Sequence, residues 1–235
     1  MDFSPFTTIT FDCYGTLINW EAGILHALRG VLVAHGQALP DAAILELYGE
    51  FEAQAESGPY QSYRSVLESV VQQFGERCGF RASPTELRCL YESVPSWPPF
   101  PDTVSSLVKL QRKFRLAVIS NIDDDLFQET REHHLGIEFA AMVTAQQSRS
   151  YKPSLNNFRL ALQTLGIEPS QLLHTGQSVY HDVIPAQSLG IRTVWVNRRS
   201  ARPGVGAVRA AEGHADLEVS DLATLAELAL KDQRG

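Results

Sequence analysis

Cysteine is scarce: Cys13, Cys78 and Cys89 are the only three in 235 residues, and no two stand in a CxxC spacing. An odd number of scattered thiols supplies neither a disulfide framework nor a structural zinc site, so a reduced, cytoplasmic chain is expected. Long apolar runs are missing too. No stretch reaches the ~20 residues of a membrane span, and MDFSPFTTITFD lacks the basic start and cleavage site of a secretory leader. Positive charge is in deficit, with 20 Lys and Arg against 27 Asp and Glu and a net charge of −7. That balance argues against nucleic acid and against an anionic membrane surface, and leaves a small molecule as the expected partner.

What the chain does have is an alternation. Short β-branched and apolar runs ending in polar residues read as buried parallel strands: TTITFD (7–12), FRLAVISN (114–121), AAMVTA (140–145), QLLHTG (171–176) and IRTVWVN (191–197). Helical patterns separate the later ones, at 103–113, 124–135, 155–166 and 182–190, several stopping at a glycine. Strand and helix in alternation predict right-handed crossovers and an α/β fold with a Rossmann-like parallel sheet.

Residues 15–95 break that rhythm with helical spacing and no convincing strand, and SWPPFPD (96–102) closes them with three prolines. The predicted organisation is an α/β core from 1–14 and 96–235, with a helical cap inserted at 15–95. A homodimer through cap helices is compatible with this pattern. The stretch 198–216 reads as a mobile loop before a short last strand, LEVSDL.

Ligands of open parallel sheets sit at the carboxyl ends of the strands. The residues gathered there are Asp12, the pair Ser120-Asn121, Lys152, and Ser178 with Asp182 in GQSVYHD. Each alone has an ordinary reading as a turn or helix cap. In this order on alternating strands they form a pattern.

DCYGTL, Ser120-Asn121, YKP and GQSVYHD together resemble the haloacid dehalogenase superfamily over nearly the whole chain, with the helical insertion where that superfamily carries its cap. The resemblance implies that Asp12 is a nucleophile forming an ester with substrate, then released by water. It implies that Thr16 orients Asp12, that Ser120 bonds nucleophile or substrate, and that Lys152 supplies fixed charge. Asp182 would orient water or hold Lys152. Tyr14, Asn121 and Ser178 are the implied substrate-binding residues.

The phosphatase branch places a second acid two residues after the nucleophile, as general acid and base, and two acids in the fourth motif for Mg²⁺. Tyr14 and Gln177 occupy two of those positions here. A departing halide needs neither a proton nor a metal. The expected activity is therefore metal-independent, cofactor-free hydrolysis of a short 2-haloacid. Alternatives are a phosphatase with a reduced Mg²⁺ site, a hydrolase of another small electrophile such as a strained ring, and a non-catalytic binding protein.

The branch's cap arginine has no counterpart at its ungapped position near Tyr48; Arg64 is the nearest one. Phe158 and Val179 replace a tyrosine and an asparagine of the pattern, and His181 stands where an aromatic is frequent. Outside the motifs, Asp123-Asp124-Asp125 reads as a helix cap, His133-His134 as surface, and His174 and Cys13 as packing. Trp20, Tyr60 and Tyr63 read as cleft or cap aromatics, and Trp97 as a hinge contact.

Overall fold

The computed structural model describes residues 1–198, 206–208 and 211–231. Among them six parallel strands form one sheet: β1 Thr8–Phe11, β2 Arg115–Ser120, β3 Ala141–Thr144, β4 Leu172–Gly176, β5 Arg192–Val196 and β6 Leu217–Val219, in the order β3-β2-β1-β4-β5-β6. Every residue of β1 and β4 is buried, as expected of central strands covered on both faces. The strand order reverses between β1 and β4, which opens a crevice at their carboxyl ends. Register is level there, because Phe11 pairs with Val118 on one side and Thr175 on the other.

Five helices lie between β1 and the proline-rich segment 96–102: α1 Trp20–Ala34, α2 Asp41–Glu56, α3 Tyr63–Cys78, α4 Pro84–Leu87 and α5 Cys89–Ser93. Their ends carry recognisable caps. Asn19 accepts the Ala22 N–H at 3.4 Å, Ser62 accepts the Ser65 N–H at 3.2 Å, and α3 stops at Gly79 with φ of 77°. Trp97, in the proline-rich segment, is fully buried against α1 and stacks edge-on with Tyr14 at 5.8 Å. A Cβ on Gly23 would lie 2.3 Å from its ring, so a bare backbone is what lets the two approach.

The remaining helices cover the sheet: α6 Thr103–Leu110, α7 Asp124–Thr130, α8 Ala145–Ser148, α9 Leu155–Leu165, α10 Ile184–Ser188 and α11 Leu222–Leu230. Two expected helices are modified. The 124–135 pattern is α-helical to Thr130 and ends in a wider π-type turn, Arg131–Leu135. The 182–190 pattern begins inside a similar turn, Val179–Val183, and is α-helical only from Ile184 to Ser188. LEVSDL divides between β6 and the start of α11, which Asp221 caps by accepting the Thr224 N–H at 2.7 Å. Within the expected loop 198–216, residues 199–205 and 209–210 lie outside the described residues. No helix among the described residues is long and apolar enough to cross a membrane.

Candidate active site

Asp12 follows the last residue of β1 directly, and its N–H donates to the Thr175 carbonyl at 2.9 Å, extending the ladder by one step. The chain then turns sharply through Gly15, at φ of 98°, and folds Thr16 back under the acid. Thr16 Oγ1 donates to Asp12 Oδ2 at 2.8 Å and accepts the Gln177 N–H at 2.9 Å, tying the ends of β1 and β4 together.

Lys152 reaches the other carboxylate oxygen. Its Nζ lies 2.8 Å from Asp12 Oδ1, 2.6 Å from Asp182 Oδ1 and 2.9 Å from the Ile119 carbonyl, so all three N–H groups are engaged. The ammonium is 2% exposed, Asp182 1% and Asp12 8%. Asn121 fixes the lysine's backbone from both sides: Oδ1 accepts the Lys152 N–H at 2.7 Å, and Nδ2 donates to the Lys152 carbonyl at 3.2 Å.

Burial acts on all three charges, and their partners decide the outcome. Burial and the neighbouring Asp182 raise the Asp12 pKa above its ordinary value, against the pull of Lys152. For Asp182 burial also pushes upward, but Lys152 and His174 outweigh it and hold this carboxyl well below the usual range. Lys152 is held above its ordinary value because Asp12 and Asp182 more than offset desolvation.

The fourth motif is shaped around Asp182. Ser178 caps the turn after β4, its Oγ accepting the His181 N–H at 3.0 Å, and its own N–H approaches Asp182 Oδ2 at 3.3 Å. A Cβ on Gly176 would fall 2.4 Å from Asp182 Cγ, so only glycine lets the acid lie across the strand end. His174, read from sequence as packing, is 1% exposed and bridges Thr10 Oγ1 at 2.9 Å and Asp182 Oδ1 at 3.2 Å. Its signal was its position: a polar ring on a central strand, opposite Thr10, needs a buried partner.

These residues form the floor of a cleft enclosing about 490 Å³, open mouth included. Ser120 lines it, and its hydroxyl, on a residue 1% exposed, has no hydrogen-bond partner among the described residues. Tyr14 lines it too, but its OH bonds with Thr130 Oγ1 at 2.8 Å, and burial raises its pKa further. Gln177, Ser178, Asn121 and His181 complete the sheet side.

The helical side carries Trp20, Tyr63, Glu52 and Glu56. The two glutamates were missed in the sequence. Tyr48, Glu52 and Glu56 recur every four residues along α2, and Tyr48 is completely buried, so that face points inward. Glu52 Oε1 accepts the OH groups of Tyr63 at 2.6 Å and Tyr48 at 2.9 Å, and burial pushes its pKa up to about 7 despite both bonds.

Other expected residues lie elsewhere. Arg64 pairs with Asp125 and lies over the Tyr91 ring at 5.0 Å, in a separate surface hollow with Tyr60. Asp123 opens α7 without capping it and instead accepts the backbone N–H groups of Tyr63 and Arg64 at the start of α3. Cys13 is buried packing, and His134 bonds to the Pro95 carbonyl at 2.7 Å.

The donor set does not fit the divalent cation of the phosphatase alternative. Asp12 and Asp182 are both paired with Lys152, and Tyr14 and Gln177 add only neutral groups. Among the described residues no group of three or more His, Cys, Asp or Glu could hold a metal ion.

A parallel sheet with a carboxylate–ammonium–carboxylate array at its switch point defines a class of hydrolase. The family model described as haloacid dehalogenase-like hydrolase matches residues 6–190, and the chain belongs to that family. Haloacetate dehalogenase H-2 of Moraxella sp. is 30% identical over 196 residues, covering 81% of this chain and 85% of that protein. Haloacid dehalogenase-like hydrolase domain-containing protein 3 of Danio rerio is 31% identical over 108 residues, 46% of this chain and 45% of that protein. The match therefore spans less than half the length of this second relative. Among solved structures, the L-2-haloacid dehalogenase of Xanthobacter autotrophicus superposes with a TM-score of 0.80 at 20% identity, over 95% of this chain and 98% of that one. The same enzyme has been solved with chloropropionic acid covalently bound.

Proposed function

We propose that the chain hydrolyses a carbon–halogen bond adjacent to a carbonyl, of which the short 2-haloacids are the parent substrates, with Asp12 as nucleophile. An oxygen of the Asp12 carboxylate attacks the halogenated carbon, and the carbon–halogen bond breaks with its electron pair leaving on halide. Water then adds to the carboxyl carbon of the resulting ester. The acyl–oxygen bond breaks, the alkoxide takes a proton from that water, and a second proton is released as Asp12 returns to its carboxylate. The products are a hydroxyl compound, halide and one proton.

Each residue has a task in this scheme. Lys152 opposes the effect of burial on Asp12 and keeps it ionised for attack. Thr16 fixes the direction of its second oxygen. Asp182, anchored by Lys152 and His174, is placed to orient water and to keep the lysine where it is. Helices α1 to α5 act as the cap that excludes bulk solvent from the ester.

One observation carries this reading over phosphate chemistry. The array around Asp12 contains neutral Tyr14 and Gln177 where a proton donor and a metal ligand would be needed, and the Tyr14 hydroxyl is turned away to Thr130. The family and the Moraxella relative, whose name is a haloacetate dehalogenase, support the choice of halide as leaving group. Halide release from 2-chloropropionate and its close derivatives, in the presence of chelator, tests it. Asp12→Asn should abolish release, and release by that variant at the native rate would defeat the proposal.

A further inference from the structure

Hydrolysis of an ester on Asp12 needs a group that takes a proton from the attacking water, and the sheet side of the cleft is poorly equipped for it. Both oxygens of Asp182 are engaged: Lys152 Nζ lies 2.6 Å and His174 Nε2 3.2 Å from Oδ1, and the Ser178 N–H points to Oδ2 at 3.3 Å. A carboxylate stabilised in this way is a weak base, suited to holding water and not to taking its proton. Lys152 is itself the cation of the array, and the Tyr14 hydroxyl is turned to Thr130.

The helical side offers two further carboxyls. Glu52 and Glu56 lie one turn apart on the same face of α2, and both line the cleft with Asp12. Glu52 is fixed by the hydroxyls of Tyr63 and Tyr48, which donate to its Oε1 at 2.6 and 2.9 Å. Glu56 is the last residue of α2, at the negative end of the helix dipole, where a carboxylate is disfavoured and a proton is welcome. Burial and the charge of Glu52 raise its pKa well above the ordinary value, while Lys152 pulls it down. Among the described residues, Tyr48 on α2, Tyr63 on α3, and Tyr151 and His181 on the sheet side are the other titratable groups facing it or the same cleft.

We propose that Glu56 is the proton acceptor in hydrolysis of the Asp12 ester, with Glu52 as its charged neighbour on the helix. This inference rests on the dehalogenation reading above. As the water oxygen bonds to Asp12 Cγ, one of its protons passes to the Glu56 carboxylate. The acyl–oxygen bond then breaks, and the Glu56 carboxyl hands that proton to the departing alkoxide. The second water proton leaves when Asp12 returns to its carboxylate, so the products are unchanged. A carboxyl with raised proton affinity is the better acceptor, because Asp182 is held well below the usual range.

The test separates the two chemical steps. The native chain, Glu56→Gln and Glu52→Gln are mixed rapidly with excess 2-chloropropionate, and halide release and the mass of the Asp12 peptide are followed over a range of pH. In Glu56→Gln the first halide per chain should still appear, and the ester should then persist on Asp12, its hydrolysis slowed about 100-fold or more. Ester hydrolysis in the native chain should quicken as Glu56 ionises with rising pH, and Glu56→Gln should lose that limb. In Glu52→Gln the limb should move to lower pH, because removing the neighbouring charge lets Glu56 ionise sooner. A merely structural role for the two acids would not move it. Native ester hydrolysis and an unaltered pH profile in Glu56→Gln overturn the inference and point to His181, while dehalogenation stands. Loss of the first halide in that variant, or an unmoved limb in Glu52→Gln, also overturns it. No halide from the native chain defeats the inference together with the dehalogenation reading.

Discussion

The Asp123 carboxylate accepts the backbone N–H of Tyr63 at 2.9 Å, across 60 residues of sequence, so an acid of the sheet's loops caps a helix of the inserted segment. Its other oxygen takes the Arg64 N–H at 3.1 Å, and the residue is 3% exposed. The Tyr151 hydroxyl adds a bond to the Gln61 carbonyl at 2.9 Å on the same seam. Tyr63 lines the cleft and holds Glu52, so this seam sets where the cleft's far wall stands.

Removing that cap should loosen the wall. Asp123→Ala is expected to lower stability by about 1 kcal/mol, the usual worth of an N-cap, and to raise KM more than it lowers kcat. Asp123→Asn, which still accepts one N–H, should recover most of both. Thermal melting and steady-state kinetics on the two variants measure this.

Lys152 is the keystone of the buried charges. Lys152→Met leaves two enclosed carboxylates facing one another, and the expected loss is about 3–5 kcal/mol of stability together with all activity. Lys152→Arg should not rescue it, because three acceptors surround the ammonium at 2.6–2.9 Å and leave no room for a planar fork. Urea denaturation and halide release give the two readouts.

Gly176→Ala puts a methyl into the space of the Asp182 carboxyl, whose Cγ would be 2.4 Å away. The acid must shift, and a displacement of about 1 Å at such a group costs roughly 100-fold in rate. Loss of kcat is the expected pattern, together with a lowered melting temperature from about 1–3 kcal/mol of overpacking.

A pH dependence follows from Glu52. Burial raises its pKa from an ordinary 4.5 to about 7, so between those values the folded chain binds more proton than the unfolded one. Stability contributed by this group is therefore present at low pH and lost as pH rises through 7. The melting temperature should fall between pH 5 and 8 by more in the native chain than in Glu52→Gln.

The sheet, its crossovers and the strand-end residues were legible because their signals are local: a buried strand announces its end where the apolar run stops. Asp12, Thr16, Lys152 and Asp182 fall together on that basis. The far wall of the cleft was not legible in the same way. Glu52 and Glu56 look like a solvated helix face unless the buried Tyr48 four residues earlier is weighed with them. By sequence Asp123 reads as the cap of its own helix, because capping of another segment depends on tertiary approach that no spacing encodes. Ser178 sits where expected, yet its hydroxyl is engaged in capping the turn that carries Asp182. The start of helix α11 is hidden because its N-cap signal, Ser220-Asp221, falls inside LEVSDL, which reads as one short strand.

The central claim is that Asp12 attacks carbon and is itself attacked by water. A single turnover in ¹⁸O-labelled water, with chain in excess over substrate, tests it most directly. The label should appear in the peptide containing Asp12, while the first product carries unlabelled oxygen from the protein. Label in the first product and none in Asp12 would contradict the account.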